Sequence, residues 1–231
     1  MRSGRYAVLL VVVAVVLPGA LLSQDGSLDI RLFRQINNSQ TIGYGPIEFV
    51  DQTSIPLFVS IPAGIFVYGA LANNRFAIDT GTLLVVSQAI SLGTTILLKT
   101  ATDRPRPFEA LTDVKVKRLS NVSGSSFPSG HAAQAFAIAT MLAYRSGPAL
   151  YLPAFVWAGL VGYGRMYVGV HYPSDVVAGM ALGTLCSILV YEYRDSIIKT
   201  KDRWLHTEDA SLQYDRVPEN LRLVTLRIPL Q

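Results

Sequence analysis

Long apolar runs alternate with short polar connections along most of this chain. Two uncharged runs cover residues 55–71 and 80–98, and shorter apolar runs cover 132–144, 149–163 and 176–191. The two uncharged runs hold 17 and 19 residues, close to the roughly 20 that a helix needs to cross the hydrocarbon core of a bilayer. We expect polar residues that flank the three shorter runs to extend their helices. The pattern predicts an all-α integral membrane bundle of five or six transmembrane helices.

The number of helices depends on the first 24 residues. Arg2 and Arg5 precede an apolar run over residues 6–22, in which Pro18, Gly19 and Ala20 follow a core that ends at Leu17. A basic start, a short apolar core and small residues after it are typical of a cleaved signal peptide. A run of this length also suffices for a first transmembrane helix. The sequence leaves both interpretations of residues 1–24 open.

The rest of the chain divides by polarity. Residues 25–54 are mixed and polar and are predicted to form an external segment, with a short surface helix near 29–36. Residues 55–192 are predicted to form the transmembrane domain. Residues 193–231 are polar again and are predicted to form a cytoplasmic tail. Within this tail, apolar and polar residues alternate enough over 221–230 to predict a strand or a loosely attached segment. Nothing in this tail indicates a second catalytic domain.

Glycines and prolines add detail to two of the predicted helices. Gly179 and Gly183 lie four residues apart in the last apolar run. Small residues at this spacing let helix backbones approach closely, and we expect packing inside the bundle rather than a dimer face. Pro56 and Pro62 lie in the run 55–71, near the expected helix start, where proline is tolerated.

Positive charges favour one orientation of the bundle. If each apolar run crosses the membrane once, Arg75, Arg145 and the polar tail lie on the same side of the membrane. The tail carries four cations, Arg194, Lys199, Lys201 and Arg203. Cytoplasmic loops carry an excess of Lys and Arg, so this side is predicted to be cytoplasmic. The three polar clusters described below then lie together on the external or periplasmic face of the cell membrane.

Composition supports a membrane protein and excludes several classes of site. Half of the residues are hydrophobic and only 16% are charged, against about a quarter in soluble domains. The net charge of +4 comes without a basic stripe interleaved with aromatic residues, so nucleic acid is not an expected partner. Cys186 is the single cysteine, which excludes an intrachain disulfide and a cysteine-based zinc site.

The first polar cluster contains Arg165, His171 and Asp175, just after one apolar run and just before another. Asp175 follows His171 by four residues and is placed to accept a hydrogen bond from its imidazole. Such a carboxylate fixes the tautomer and leaves the other ring nitrogen with its lone pair outward. That nitrogen can attack phosphorus and form a phosphohistidine. Taken alone, His171 as a helix cap and Asp175 as an ordinary helix-start acid explain the pattern as well.

The second cluster, Pro128-Ser129-Gly130-His131, comes directly before an apolar run. Gly130 lets the backbone approach a ligand closely, and the amides of a helix start point towards an anion. Ser129 either caps the helix or donates its hydroxyl to a phosphate oxygen. His131 is placed to protonate a departing oxygen. A simple helix cap with a surface histidine is the alternative.

The third cluster pairs Lys99 with Arg106 at the end of the run 80–98. Arginine offers a planar fork that matches phosphate, and lysine offers a point charge. Together with Arg165, they supply three separate cations for the charge on the oxygens of a transferring phosphoryl group. Lys99 is otherwise explained as a helix-end lysine that reaches towards water. Arg104 is set aside, because only Arg106 has the spacing of the motif described below.

The polar connection that begins at Lys99 carries more positive charge than is usual for an external loop. Residues 99–118 contain six Lys or Arg and three Asp or Glu. Such an excess fits attraction to an anionic ligand or lipid head group. For Lys115, Lys117 and Arg118, a solvated loop without such a role explains the charges equally well.

The three clusters together resemble the type 2 phosphatidic acid phosphatase (PAP2) superfamily over roughly residues 50–192. The resemblance rests on one ordered pattern: Lys99, six residues, Arg106-Pro107; Pro128-Ser129-Gly130-His131; and Arg165, five residues, His171, three residues, Asp175. The family usually has serine before the arginine of the last cluster, whereas this chain has Gly164. That departure puts one hydroxyl contact in doubt and leaves the reaction class intact.

The resemblance implies a helical bundle that hydrolyses phosphate monoesters or diphosphates without metal or other cofactor. By matching position, His171 is the expected nucleophile, Asp175 its orienting partner and His131 the general acid. The remaining matches are expected to bind the phosphate: Lys99, Arg106, Ser129, Gly130 and Arg165.

The bilayer makes a lipid phosphate the expected substrate, and no obligatory protein partner is inferred. Undecaprenyl diphosphate, phosphatidylglycerol phosphate, phosphatidate and a lipid A phosphate all fit, and the sequence does not choose among them. Two other functions remain open, a vanadium-haloperoxidase-like enzyme and a lipid-binding or lipid-moving protein without catalysis. Uncharged runs argue against a soluble periplasmic phosphatase.

Overall fold

The computed structural model describes residues 28–39, 43–117 and 124–205. The interpretations of residues 1–24 and of 221–230 fall outside the described residues. Within the described part the chain forms eight α-helices, named here in order: α1 Leu28–Asn37, α2 Tyr44–Leu71, α3 Arg75–Thr102, α4 Pro107–Ala110, α5 Gly130–Arg145, α6 Pro148–Tyr167, α7 Pro173–Glu192 and α8 Arg194–Trp204.

The structure confirms the all-α prediction and the membrane character of the chain. Among the described residues, α2, α7 and the helical span that starts with α3 are long and apolar enough to cross a membrane. Many large apolar side chains on these helices are exposed, including Val59, Leu71, Leu97 and Val177. Such faces are unsuited to water and suited to lipid. The protein therefore has several candidate transmembrane helices.

Motif residues extend the shorter helices, as the sequence predicts. Helix α5 begins at Gly130 inside the second cluster, α6 continues past Arg165, and α7 begins at Pro173 and includes Asp175. Proline suits the first turn of α7, because a backbone N–H at that position would have no acceptor within the helix. Helix α2 begins at Tyr44, well before the uncharged run that predicts it.

The early start of α2 corrects the expected position of its prolines, which lie in the middle of the helix. Pro62 has no N–H to offer the carbonyl of Phe58 one turn earlier. The side chain of Gln88 in α3 donates to that carbonyl at 3.0 Å. A neighbouring helix therefore provides the hydrogen bond that the proline removes.

Helix α5 lies at the centre of the bundle and packs against α3, α6 and α7. Its inner face is rich in alanine, and most of these side chains are fully buried. At its contact with α7, a Cβ atom added to Gly179 would lie 2.3 Å from the Ser129 carbonyl oxygen. A Cβ atom added to Gly183 would lie 2.0 Å from the carbonyl oxygen of Ala133. The prediction that these glycines serve packing inside the bundle is confirmed.

This contact makes Gly183→Ala a sharp test of the packing. The added methyl group would force the α5 and α7 backbones apart, and overpacking of this kind costs about 1–3 kcal/mol. We expect a lower thermal unfolding midpoint in detergent. Gly159→Ala in α6 is the matched control, because nothing lies within 4 Å of its added Cβ atom and alanine favours a helix over glycine. Equal midpoints for the two variants would contradict the close contact.

Charged side chains collect at the end of the bundle where α2 passes into α3. Arg75 and Lys201 each contact the carboxylate of Asp202 at 3.0 Å, and Lys201 also contacts Asp79. Arg145 donates hydrogen bonds to the first turns of α3. Arg75, Arg145 and Lys201, which the sequence assigns to one side, therefore meet there, and the contacts of Arg75 and Lys201 fix α8 to α3.

Candidate active site

The segment between α6 and α7 places His171 in the interior of the opposite end of the bundle. The backbone N–H groups of Val170 and His171 both donate to the carbonyl of Arg165, at 3.1 and 3.3 Å. Gly169, directly before Val170, has φ of 95°, a conformation that favours glycine. This tight turn leaves the His171 side chain 2% exposed.

The two ring nitrogens of His171 face different partners. Nη1 of Arg106 lies 3.3 Å from Nε2. A guanidinium only donates hydrogen bonds, so Nε2 accepts through its lone pair and the proton of the neutral ring resides on Nδ1. The imidazole therefore presents an unprotonated nitrogen towards a cation.

The Nδ1 side of His171 faces Asp175 and a serine that the sequence analysis missed. Oδ2 of Asp175 lies 3.6 Å from Nδ1, which is longer than a direct hydrogen bond. Oγ of Ser126 lies 3.5 Å from Nδ1 and donates to Oδ2 of Asp175 at 2.5 Å. The same carboxylate oxygen accepts the backbone N–H of Tyr172 at 2.8 Å. Asp175 is thus fixed beside the imidazole, and Ser126 lies near both side chains.

Burial has the largest effect on the pKa of the His171 imidazole. Removal of the imidazole from water lowers the pKa of His171 to about 3, against the opposing effect of the neighbouring Asp175 carboxylate. Positive charges of Arg165 and Arg106 act in the same direction as burial. The ring is therefore neutral at neutral pH and keeps the lone pair on Nε2.

Lys99 and Arg106 converge on the segment that precedes α5. Nζ of Lys99 donates to the carbonyl of Ser125, and Nη2 of Arg106 lies 3.4 Å from the same oxygen. Nε of Arg106 donates to the carbonyl of Gly124 at 3.0 Å, and Nη1 donates to that of Val170 at 3.0 Å. Both cations therefore point into the site rather than out towards water.

Arg165 is held by Asp51, an acid of α2 that the sequence analysis did not single out. Nη1 of Arg165 contacts Oδ1 of Asp51, and both side chains are almost fully buried. A buried arginine requires such a partner. The pair ties the end of α6 to α2 and fixes the guanidinium beside the turn that carries His171.

The second cluster lies against the start of α7. The backbone N–H of Ser129 donates to the carbonyl of Asp175 at 2.9 Å. The Ser129 side chain does not cap α5, which removes the capping interpretation. Within the described residues, Ser129 Oγ and His131 Nε2 are buried polar atoms without a hydrogen-bond partner.

The three cations are near this second cluster as well. Lys99, Arg106 and Arg165 lie close enough to the His131 imidazole for their charges to act on it. All eight predicted site residues therefore meet at one end of the bundle. Among the described residues, no group of three or more His, Cys, Asp and Glu side chains has the arrangement of a metal site. Three cations, a neutral histidine and the buried hydroxyl of Ser129 together make this a candidate site for an anion.

The comparisons with known proteins agree with this geometry. The family model described as PAP2 superfamily matches residues 80–199, about half of the chain and all three clusters. The chain belongs to the PAP2 superfamily.

Lipid phosphatases are among its relatives in this superfamily. Phosphatidylglycerophosphatase B of Bacillus subtilis is 32% identical over 159 residues, which cover 64% of this chain and 71% of the relative. Lipid A 1-phosphatase of Rhizobium johnstonii is 32% identical over 156 residues, 64% of this chain and 62% of the relative. The crystal structure of Aquifex aeolicus LpxE is similar with a TM-score of 0.63 and 30% identity, over 74% of this chain and 99% of that one.

Gly164 is the one visible departure from the PAP2 pattern. A Cβ atom added there would lie 3.4 Å from a methyl group of Ile47, an ordinary van der Waals distance. The glycine thus lies at the packed contact between α6 and α2.

The largest correction to the PAP2 motif analysis concerns Arg104. Nη1 of Arg104 contacts Oδ1 of Asp175 at 2.6 Å, and Nη2 contacts Asp29 of α1 at 2.8 Å. Its guanidinium lies over the ring of Tyr172, 4.1 Å from the centroid. Arg104 therefore belongs to the site, although the motif spacing selects only Arg106.

Lys117 has a structural role that its position in the charged loop does not indicate. Its Nζ donates to the carbonyls of Asn37 and Tyr167, at 2.7 and 3.0 Å, and lies 3.3 Å from the centroid of the Tyr167 ring. It fastens the loop after α4 to α1 and α6.

Proposed function

We propose that this chain is a membrane phosphatase that hydrolyses a lipid phosphate monoester or diphosphate through a phosphohistidine. The observation that carries the proposal is the buried, neutral imidazole of His171, whose unprotonated Nε2 lies 3.3 Å from the Arg106 guanidinium. A nucleophile beside a donor of this kind is aligned with the phosphorus of an anion bound there. Membership of the PAP2 superfamily and the lipid phosphatases among its relatives support the same reaction class.

The phosphate group is bound by side chains from all three clusters. Lys99, Arg106 and Arg165 face the negative charge that spreads over the equatorial oxygens in the transition state. The Ser129 hydroxyl and the Gly130 amide at the start of α5 add neutral donors. The hydroxyl of Ser129 has no partner within the described residues, so it is free to donate to a phosphate oxygen.

In the first step, Nε2 of His171 attacks phosphorus and the bond from phosphorus to the lipid oxygen breaks. His131, in its imidazolium form, donates a proton to that oxygen and becomes neutral, and the lipid alcohol or lipid monophosphate leaves. The imidazole of His171 now carries a phosphoryl group on Nε2, a proton on Nδ1 and a positive charge. Asp175, directly and through Ser126, stabilises this charge.

In the second step, water attacks the phosphorus of the phosphohistidine. His131 accepts a proton from the water, the bond between phosphorus and Nε2 breaks, and inorganic phosphate leaves. His171 returns to its neutral form with Nδ1 protonated. A positioned acid and base of this kind typically contributes about 10²–10⁴-fold to the rate.

The placement of the site favours a lipid substrate. We infer five spans, formed by α2, α3, α5, α6 and α7, with residues 1–24 as either a signal peptide or a sixth. The cationic end that fixes α8 is then cytoplasmic, and the site lies on the external or periplasmic face. There it meets the head groups of lipids whose chains lie along the apolar helix faces. The substrate class comprises phosphatidylglycerol phosphate, undecaprenyl diphosphate, phosphatidate and lipid A phosphates.

A substrate panel with purified protein in detergent tests this function. We expect phosphate release from at least one of these lipids, undiminished by EDTA because side-chain cations neutralise the phosphate, and blocked by orthovanadate. Comparing monophosphate with diphosphate lipids separates the two substrate classes. Lipid binding without phosphate release would favour a non-catalytic lipid-binding protein, and halide oxidation with bound vanadate would favour a haloperoxidase.

A further inference from the structure

Helix α1 brings a second carboxylate to the Arg104 that contacts Asp175. Oδ2 of Asp29 lies 2.8 Å from Nη2 of Arg104, while Nη1 of the same guanidinium lies 2.6 Å from Oδ1 of Asp175. Asp29 also accepts hydrogen bonds from the backbone N–H and the hydroxyl of Ser174, at 2.8 and 2.6 Å. Arg104 therefore bridges two buried carboxylates, one on each side.

The position of Asp29 is fixed by its own helix. Asp29 is 4% exposed, and the next turn of α1 buries Phe33 against Tyr172, with ring centroids 5.8 Å apart. At the other end of α1, the Asn37 amide nitrogen donates to the carbonyls of Lys115 and Tyr167, at 3.0 Å each. The helix is thus attached at both ends, and only its first turn reaches the Arg104 bridge.

We propose that Asp29 is a positioning residue for the phosphatase reaction, acting on His171 through Arg104 and Asp175. The inference rests on the proposed function and deepens it. Two carboxylates and one guanidinium carry a net charge of −1 next to a ring that becomes positive when Nε2 is phosphorylated. Without the charge of Asp29 the group is neutral, because Arg104 then cancels the charge of Asp175. Asp29 therefore keeps Asp175 effective as a partner for the phosphorylated imidazole.

The contribution of Asp29 is specific to the transition state and the intermediate. The neutral imidazole of the free enzyme gains little from a nearby negative charge, whereas the phosphorylated ring gains directly. Lys99, Arg106 and Arg165, which bind the phosphate, keep their contacts when Asp29 is changed. The charge of Asp29 is thus expected to affect kcat rather than KM.

The test compares Asp29→Asn with the wild type in purified, full-length protein. Asparagine keeps the size of the side chain and an oxygen for the Ser174 N–H, and it removes the charge together with the oxygen that faces Arg104. We expect kcat to fall about tenfold, because the Asp29 charge acts on the His171 ring over a short distance and is partly screened by Arg104. KM should change less than about twofold. Orthovanadate, whose five-coordinate form resembles phosphorus under attack, should bind about tenfold more weakly as measured by calorimetry. Asp29→Glu, which restores the charge, should recover most of both losses.

Asn37→Ala is the matched control for loosening of α1. It removes the attachment at the far end of the helix and leaves the charges around Arg104 unchanged, so kcat and vanadate affinity should stay close to the wild type while the unfolding midpoint falls. Equal losses of kcat in Asn37→Ala and Asp29→Asn, or wild-type kcat and vanadate affinity in Asp29→Asn, would overturn the proposal. The calorimetric comparison needs no turnover, so it decides the role of Asp29 even if the wild type hydrolyses none of the lipids tested, a result that would instead refute the proposed function.

Discussion

Replacing His171 with alanine is expected to lower kcat for lipid phosphate hydrolysis by about 10⁴-fold or more, as removal of a covalent nucleophile does. The variant loses the unprotonated Nε2 that lies 3.3 Å from the Arg106 guanidinium. Phosphate release measures the rate. Acid-labile, alkali-stable label on the protein after a rapid quench with radioactive substrate measures the phosphohistidine, which should disappear.

Gly159→Ala, whose added methyl group meets nothing within 4 Å, is a suitable reference for expression and handling. Similar unfolding midpoints in the two variants would assign the loss to chemistry rather than to folding. Normal phosphate release by the His171→Ala protein would exclude this residue as the nucleophile, and with it the assignment of Asp175 and Ser126 as its supports.

Replacing Asp175 with asparagine is the second change with a large expected effect, a fall in kcat of about 10³–10⁴-fold. An asparagine can turn its amide nitrogen towards Nδ1 of His171, which favours the tautomer with the proton on Nε2 and removes the nucleophilic lone pair. Ser126, which donates to Asp175 at 2.5 Å, loses its charged acceptor at the same time. Steady-state kinetics should show the loss in kcat rather than in KM, because the phosphate-binding cations remain.

Asp202→Asn provides a matched control for the loss of a buried carboxylate. Asp202 is 2% exposed and contacts Arg75 and Lys201 at the opposite end of the bundle. Its replacement should lower stability, since breaking a buried ion pair leaves charges uncompensated, and should leave kcat nearly unchanged. A comparable fall in kcat in both variants would show that the effect of Asp175→Asn reflects general destabilisation.

The sequence predicted those parts of the fold and site that depend on neighbours in the chain. Apolar runs located the helices, and compact clusters such as Arg165 to Asp175 carried enough local pattern to identify the candidate site residues. The start of α2 at Tyr44 was missed because its first turns are amphipathic and partly polar. Within a polar stretch, the hydropathy pattern does not separate such turns from a loop.

Residues that act across the chain were not predictable in the same way. Asp29 and Asp51 are single acids in ordinary polar segments, and their arginine partners lie 75 and 114 positions away. No local spacing links them, and only the packing of α1 and α2 against the core brings them together. Arg104 was set aside for a related reason, since it lies two residues from a motif arginine and its partners are distant.

The close contact of α5 with α7 determines how accurately the two histidines are spaced. Ser129 bonds to the Asp175 carbonyl through its backbone at 2.9 Å, and Gly179 and Gly183 continue the same line of main-chain contact along both helices. His131 lies in the first turn of α5, and His171 lies two residues before the start of α7. Their separation is therefore set by two polypeptide backbones in register rather than by adaptable side chains. Substitutions that push the α5 and α7 backbones apart several turns from the phosphate should therefore move the two imidazoles relative to each other. We expect them to slow proton transfer without contacting either histidine.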